Sequence, residues 1–318
     1  MTVLPSDLAS LAREFTTCAL EQAHPMVRMW RGKDLEADLH MMTAREVALL
    51  VDETTARGFA ETMKVLALPP TAFTARLVEI DGTRFLARID FPDTTGANSF
   101  VEILRATTPP GSITDATVFH RLAEAFAGFA PHRIQFYHPS HRPIAVPGAR
   151  VDQHFLAGLA SEMTARSPAP GLERIELARA TNLSFYPRYV AVYRQMYEER
   201  PALLDSVRIE DEESLAECLA DALLFEIAVN GLWAGIVAAR HRLVGGVRGI
   251  YMIEIVLDAT HRGQTLGPAV HQRLATIVST SEPAAVIIGT IARANTPSLT
   301  TATRAGRVEI GAWYWLDV

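Results

Sequence analysis

An arginine and two glycines lie close together in residues 261–267, which read His-Arg-Gly-Gln-Thr-Leu-Gly. The segment follows an apolar run at 250–257, which predicts a strand, and it precedes residues 266–278, whose pattern predicts an amphipathic helix. A strand that leads through such a loop into a helix N-terminus aims several backbone N–H groups at one point. Glycines let the backbone approach a ligand closely, and Arg262 adds a positive charge. These residues predict a site for a pyrophosphate.

The order strand, Arg-Gly-x-x-x-Gly, helix resembles the acyl-CoA-binding loop of the GNAT N-acetyltransferase superfamily. The usual pattern there is Arg/Gln-x-x-Gly-x-Gly/Ala, so Thr265 replaces the middle glycine, and its hydroxyl is able to donate to a phosphate oxygen. The resemblance implies acetyl-CoA, or another acyl-CoA, as co-substrate, with no metal. Its pantetheine arm would pair with the backbone around Val256 and Leu257. The loop residues that it implies for the pyrophosphate are Arg262, Gly263, Gln264, Thr265, Leu266 and Gly267.

A second segment, 295–307, resembles the closing part of the GNAT fold, where an asparagine after the fifth strand leads into a helix that ends in Gly-Phe. Asn295 and Ser298 fall at the matching positions. Asn295 either bonds the cofactor or caps the helix, and Ser298 is equally open. Ala302 occupies the place of a tyrosine that protonates the CoA thiolate in many members, and Arg307 replaces the phenylalanine. Tyr314 is a possible substitute donor, although the run 313–315, Trp-Tyr-Trp, is more typical of a strand packed on both faces.

Three residues are candidates for the general base or for another catalytic role. Glu254 lies on the third predicted strand of this half, where burial would raise the pKa of its carboxyl. If the apolar side chains at 253, 255 and 257 face the core, alternation turns Glu254 toward the acceptor cleft or toward solvent. Tyr251 on the same strand and Glu226 on the first strand are the other two candidates.

A stripe of tyrosines precedes these strands at helical spacing, namely Tyr186, Tyr189, Tyr193 and Tyr197. The first helix of GNAT proteins flanks the acceptor site, so the stripe could line it. The same spacing is also typical of plain core packing.

The elements that position these residues occur twice in the sequence. Residues 223–229 and 232–240 predict a hairpin around Asn230-Gly231, and residues 75–80 and 83–91 predict another around Asp81-Gly82. Third strands follow at 249–258 and 99–105, and helices at 266–278 and 113–129. Further strands follow at 285–291 and 133–137, within a few residues of the 149 positions that separate the turn glycines. The pattern indicates a tandem duplication of one α/β unit.

A proline- and glycine-rich stretch at 167–171 predicts the linker between the two copies. The expected domains are 1–168, a degenerate GNAT-like domain, and 171–318, the acyl-CoA-binding domain, each a mixed sheet with helices. In the first copy the loop 106–112 has no arginine, and Pro109 and Pro110 lack the N–H groups that a phosphate needs. We expect the first copy to bind no CoA and to help shape the acceptor pocket.

Composition narrows the class of protein. A chain of 318 residues predicts two domains, and a net charge of −6 gives no basic footprint for nucleic acid. Cys18 and Cys218 match no metal spacing and indicate a reducing compartment. Lys33 and Lys64 are the only lysines, an arginine bias typical of a GC-rich bacterial genome. Neither a signal peptide nor an apolar run of membrane length is evident, so we expect a cytoplasmic protein without a membrane partner.

The expected function is N-acyl transfer, with acetyl as the expected acyl group, from acyl-CoA to an amine of a small molecule, by direct attack within a ternary complex. The tandem arrangement is similar to that of mycothiol-synthase-like members of the superfamily. One alternative is an acyltransferase of the same fold with another donor, such as aminoacyl-tRNA, which Thr265 and Ala302 would suit. A second alternative, motivated by the missing tyrosine, is a non-catalytic protein that binds acyl-CoA.

Overall fold

The computed structural model describes residues 5–63, 66–92, 95, 98–201, 204 and 207–318. The chain divides into two compact units. Unit 1 comprises Met1–Asp152 and Ile310–Val318, and unit 2 comprises Gln153–Glu309. Each unit is an α/β structure around its own set of strands, as the sequence predicts.

Unit 1 begins with a group of helices that the sequence patterns did not predict, namely α1 (Pro5–Gln22), α2 (Pro25–Arg31), α3 (Leu35–Ala48) and α4 (Glu53–Thr62). The strands that follow are β1 (Arg76–Ile80), β2 (Thr83–Asp90) and β3 (Phe100–Ala106), and then come α5 (Thr117–Glu124) and β4 (Arg133–Pro139). Helix α5 is shorter than the predicted helix 113–129. It starts at Thr117 and ends at Glu124, and a separate 3-10 helix, Ala127–Phe129, follows before the left-handed Ala130.

The chain then continues with β5 (Arg150–Leu159), α6 (Ala160–Ala165), β6 (Ile175–Arg179), α7 (Tyr186–Glu199) and α8 (Glu212–Ala220). Next come the strands β7 (Leu224–Val229), β8 (Leu232–Val244) and β9 (Val247–Leu257). The last elements are α9 (Gly267–Ser281), β10 (Val286–Ala292), α10 (Thr296–Arg304) and β11 (Val308–Asp317).

The strand order is β1-β2-β3-β4-β11 in unit 1 and β5-β10-β9-β8-β7-β6 in unit 2. The β3–β4 and β9–β10 pairs are parallel, whereas β4 with β11 and β5 with β10 are antiparallel. The units therefore differ from the predicted domains 1–168 and 171–318 at both boundaries. The reason is that residues 153–159 pair with β10, and residues 311–317 pair with β4.

Both predicted hairpin turns are present, and both carry the backbone geometry that their sequences favour. Asp81 and Gly82 have φ of 50° and 78°, and Asn230 and Gly231 have φ of 51° and 77°. Two successive positive φ angles are the mark of a type I′ turn, which matches the twist of the flanking strands.

The duplication extends to a bulge in the third strand of each copy. The β2–β3 register shifts between Leu86 and Ala87, which leaves Leu104 as an extra residue in β3. The β8–β9 register shifts between Ala238 and Ala239, which leaves Ile253 as an extra residue in β9. Leu104 and Ile253 are 149 positions apart, the same separation as the turn glycines. The two units therefore share a local backbone feature that hydrophobic patterns do not reveal.

Two apolar cores occupy the two faces of the unit 2 sheet. The α9-side core contains residues of α9 such as Val270 and Leu274, together with Ile250 and Met252 of β9. The α7-side core contains Tyr189 and Tyr193 of α7, residues of α8, and strand residues of β7, β8 and β9. Across the part of the chain that the structure describes, no helix has the length and apolarity needed to cross a membrane.

Candidate active site

The strands β9 and β10 separate after two paired positions. Ile250 pairs with Ile287 and Tyr251 pairs with Ile288, and no further pair joins these strands among the described residues. From Met252 onward β9 is bonded to β8 on its other edge, while β10 stays paired with β5 from Val286 to Ala292. One edge of β9 therefore faces an opening between two strands, where an extended ligand can pair with its backbone.

The loop after β9 is folded around Asp258 and presents unused backbone donors. The backbone N–H groups of His261 and Arg262 both donate to the Asp258 carbonyl oxygen, at 3.1 and 3.0 Å. No described residue accepts a hydrogen bond from the N–H groups of Gly263, Gln264, Thr265 or Gly267. With the N-terminus of α9, these groups form a cluster of donors that suits an anion.

Two residues of this loop adopt left-handed backbone conformations. Gly263 has a φ of 77°, and no atom of a described residue lies within 4 Å of the place where a Cβ would be. Thr265 has a φ of 59°, although it is β-branched. Such a residue at positive φ is a backbone outlier that costs about 1–3 kcal/mol. The loop therefore keeps the conformation of a glycine at the position where the GNAT pattern has one.

The guanidinium of Arg262, a residue of this loop, is only partly paired among the described residues. Its Nη1 lies 3.3 Å from Oε2 of Glu199, at the end of α7. Its Nε and Nη2 are buried and have no acceptor among the described residues. Buried donors without partners are uncommon, so this side chain has capacity for an anionic ligand. Glu199 is the group that such a ligand would compete with.

The other residues implied for the cofactor have structural contacts of their own. A Cβ on Gly267 would lie 2.5 Å from Cγ2 of Thr301, so this glycine allows α9 to pack closely against α10. The side chain of Asn295 accepts a hydrogen bond from the backbone N–H of Ser298 at 3.3 Å, which caps α10. Of the two interpretations given for Asn295, the structure therefore contains the cap.

Glu254 follows the bulge in β9 and is buried, with 8% of its surface exposed. The alternation expected for residues 253, 255 and 257 is wrong at 253. Ile253 packs on the α7-side core, whereas Ile255 and Leu257 pack on the α9-side core, because the bulge shifts the alternation by one residue. As a result Ile253 and Glu254 both point toward α7.

Two tyrosines of α7 hold this carboxylate. The hydroxyl groups of Tyr189 and Tyr193 donate to Oε2 of Glu254 at 2.7 and 2.5 Å, and the backbone N–H of Ile255 donates to Oε1 at 2.7 Å. Burial raises the pKa of Glu254 to about 7, and the hydrogen bonds oppose that shift. Burial and the neighbouring carboxylate raise the pKa of both tyrosines, so they remain protonated donors.

The two remaining catalytic candidates lie elsewhere on the sheet. The Tyr251 hydroxyl is 2.9 Å from Oγ1 of Thr290, and this contact joins β9 to β10 next to the point where they separate. Glu226 lies on β7, opposite Ile236 of β8, and is half-buried. It is two strands away from β9, so the register does not bring it next to Glu254.

A comparison with protein-family models finds no match, and a comparison with curated proteins finds none. Among solved structures, an acetyltransferase of the GNAT family from Colwellia psychrerythraea is similar, with a TM-score of 0.50 and 10% identity over 84% of this chain and 96% of that chain. A GCN5-related N-acetyltransferase from Sphaerobacter thermophilus has a TM-score of 0.46 and 14% identity, and the match covers 84% of this chain and 93% of that chain. A tandem GNAT protein from the clavulanic acid biosynthesis pathway has a TM-score of 0.43 and 14% identity, and the match covers 84% of this chain and 96% of that chain.

The similarity to the Colwellia structure concerns the fold, and it extends over most of both chains. The chain has the GNAT fold. The predicted α/β architecture of tandem GNAT-like units is thereby confirmed. The comparisons show the fold alone, so the roles of the site residues stay predictions.

Two positions depart from the pattern of the GNAT fold, and both are buried. Ala302 on α10 has no exposed surface, so it offers no proton donor where many members have a tyrosine. Arg307, in place of the usual phenylalanine, is 3% exposed and donates to backbone carbonyl oxygens of β5 and β10. Tyr314 belongs to unit 1, where its ring stacks on Phe136 at 5.7 Å between centroids.

The tyrosine stripe of α7 belongs to a core and also to the site. Tyr189 and Tyr193 are buried in the α7-side core, as the helical spacing predicts. Their hydroxyl groups also reach the carboxylate of Glu254 on β9, which the sequence patterns did not predict. A signal was available, because a buried hydroxyl needs a partner and Glu254 was already a buried candidate.

Proposed function

We propose that unit 2 is an N-acyltransferase that moves an acyl group, acetyl in its simplest form, from acyl-CoA to an amine of a small molecule. The observation that carries this proposal is the arrangement along β9. One strand has an open edge beside β10, carries the buried carboxylate of Glu254, and leads directly into a loop with unused donors.

The donor is bound by backbone more than by side chains. The pantetheine arm pairs with the open edge of β9 near Val256 and Leu257, and the pyrophosphate takes the free N–H groups at Gly263, Gln264 and Thr265. Arg262 supplies the positive charge, since two of its nitrogens have no other acceptor among the described residues.

The chemical step is a direct attack by the amine. Its nitrogen bonds to the thioester carbonyl carbon, the carbon–sulfur bond breaks, and the amide and the CoA thiolate are formed. Glu254 takes the proton that the amine loses, directly or through a water molecule, and its pKa of about 7 suits that task. Tyr189 and Tyr193 position the carboxylate. With Ala302 in place of a tyrosine, the thiolate takes its proton from water.

A thiol-release assay with acetyl-CoA, longer acyl-CoA thioesters and a panel of primary amines tests this mechanism. We expect Glu254→Gln to lower the rate by about 10²–10⁴-fold, the usual contribution of a general base. Glu176→Gln, on the exposed side of β6, is the control and should stay within twofold.

Two results would contradict the proposal. Binding of acyl-CoA without thiol release for any amine would indicate a binding protein instead of an enzyme. A normal rate in Glu254→Gln together with a large loss in Glu226→Gln would move the base to β7.

A further inference from the structure

The guanidinium of Arg307 lies beside the opening between β9 and β10, and no carboxylate among the described residues pairs with it. Arg307 is 3% exposed, and its Nη2 donates to the carbonyl oxygens of Leu156 and Gly289, at 2.8 and 3.0 Å. Its Nε is buried and has no acceptor within the part of the chain that the structure describes. The side chain is thus held by two backbone carbonyls and retains an unused donor.

The surrounding residues fix where this guanidinium lies. Met252 and Gly289 are the first residues of β9 and β10 beyond the last pair that joins the strands. A Cβ on Gly289 would be 2.9 Å from Nη2 of Arg307 and 3.2 Å from Cβ of Met252. The guanidinium therefore sits where the strands begin to separate, in space that only a glycine leaves free.

This location is on the α9 side of the opening, and Glu254 is on the other side. Met252 belongs to the α9-side core, and Gly289 points to the same face of β10 as Ile287 of that core. Glu254 is bonded to tyrosines of the α7-side core. An acyl group at the opening has the base on one side and the guanidinium on the other.

No neighbouring group among the described residues balances the charge of Arg307. Burial lowers the pKa of Arg307 to about 10, and the one opposing effect comes from Tyr251, not from a carboxylate. His271 is also buried, and burial together with Arg307 lowers the pKa of His271 to about 3, so it is neutral. Its Nδ1 is also buried and has no hydrogen-bond partner among the described residues. An unpaired buried charge is costly, and a bound anion would offset that cost.

We propose that the acyl group of the donor carries a carboxylate, so that the preferred donor is the CoA thioester of a dicarboxylic acid, and that Arg307 binds this carboxylate. The inference rests on the proposed function and refines its acyl group. The amine approaches from the side of Glu254, and the tail of the acyl group extends toward α9. The guanidinium, with Met252 and Gly289 around it, selects the charge at the end of that tail.

The test compares thioesters that have the same number of acyl carbons and differ in charge. Calorimetric titration measures the Kd of succinyl-CoA against butyryl-CoA, and of malonyl-CoA against propionyl-CoA, with acetyl-CoA and free CoA beside them. No acceptor amine is required. We expect the charged member of at least one pair to bind about tenfold more tightly or better, because a buried charge-assisted hydrogen bond is available only to the charged acyl group.

Variants then assign the effect. Arg307→Met replaces the guanidinium by an apolar side chain of similar length. It should abolish the preference for the charged thioester and leave the affinity for free CoA unchanged. Arg304→Met, on the exposed side of α10, is the matched control and should keep the preference. If Arg307→Met does not fold, the wild-type pairs still decide the matter.

The outcomes separate this inference from the proposed function. Equal affinity within both pairs, with CoA bound, overturns the role of Arg307 and leaves acyl transfer standing. A preference that survives in Arg307→Met also overturns it. If neither CoA nor any thioester binds, the proposed function itself fails, and this inference fails with it.

Discussion

The bulged strands β3 and β9 place different chemistry at the same position of the same backbone. In unit 2 the residue after the bulge is Glu254, which accepts hydrogen bonds from two tyrosines. In unit 1 it is Arg105, whose Nε lies 2.8 Å from Oε2 of Glu46 on α3. A second contact, from Nη2 to Oε1, is 3.2 Å. Unit 2 thus holds a carboxylate bound by neutral hydroxyl groups, whereas unit 1 holds a carboxylate bound by a guanidinium.

The two bulges also differ in the strand pairing and in the free space around them. Pairing between β3 and β4 continues to Ile103, next to the bulge, whereas pairing between β9 and β10 stops at Tyr251, one position earlier. A Cβ on Gly111, after β3, would lie 2.3 Å from Nδ1 of His138, but Gly263 after β9 has open space around it. A duplicated scaffold can therefore keep its turns and its bulge while the side chains around the bulge differ.

The largest expected effect is on stability, and it concerns the ion pair of Glu46 and Arg105 in unit 1. Burial raises the pKa of Glu46 to about 7, and Arg105 opposes that shift. Arg105→Met leaves this carboxylate without its partner, so we expect the free energy of unfolding at pH 8 to fall by about 3–5 kcal/mol. Urea denaturation measures it. The double variant Glu46→Gln, Arg105→Met should recover most of the loss, and an unchanged unfolding curve for the single variant would mean that the pair is not a structural contact.

A smaller effect concerns the pH dependence of the activity. Since the base must be unprotonated, kcat/KM should rise with pH through about 7, the pKa of Glu254. Tyr193→Phe removes a donor to the charged form, which raises the pKa of Glu254. The midpoint of the profile should then move to higher pH, with about a tenfold lower rate at pH 7.

Tyr186→Phe is the control for this profile, because the Tyr186 hydroxyl donates to the carbonyl oxygen of Glu210 and not to Glu254. A midpoint that stays in place in Tyr193→Phe would show that Glu254 does not set the profile.

The smallest expected effect concerns the backbone strain at Thr265, in the loop after β9. Thr265→Gly relieves a positive φ, so we expect the free energy of unfolding to rise by about 1 kcal/mol and CoA affinity to be kept. Thermal and urea unfolding measure the first, and calorimetry the second. A loss of stability would show that the contacts of the threonine outweigh its strain.

Much of the fold follows from local sequence. The turns Asn230-Gly231 and Asp81-Gly82 are predictable because few other dipeptides accept two positive φ angles. The loop after β9 is predictable from its arginine and glycines, because those residue types suit a backbone that must approach an anion. Composition and periodicity are sufficient to predict such features, because the residues that determine each of them lie within a few positions of one another.

The rest depends on contacts that are distant in sequence. The bulge at Ile253 arises from pairing with β8, and it changes the face of every residue after it, which alternation alone missed. The unit boundaries depend on strands that pair far along the chain, such as β11 with β4. Similarly, the partnership of Tyr193 with Glu254 joins residues that are 61 positions apart.

The central claim is that unit 2, and not unit 1, binds acyl-CoA at the loop after β9. Calorimetric titration of the whole chain with CoA tests it most directly. We predict one site per chain, at least tenfold weaker in Arg262→Ala and unchanged in Arg304→Ala, because Arg262 belongs to the loop whereas Arg304 is an exposed residue of α10. Two equivalent sites per chain, full affinity in Arg262→Ala, or no binding at all would contradict the account.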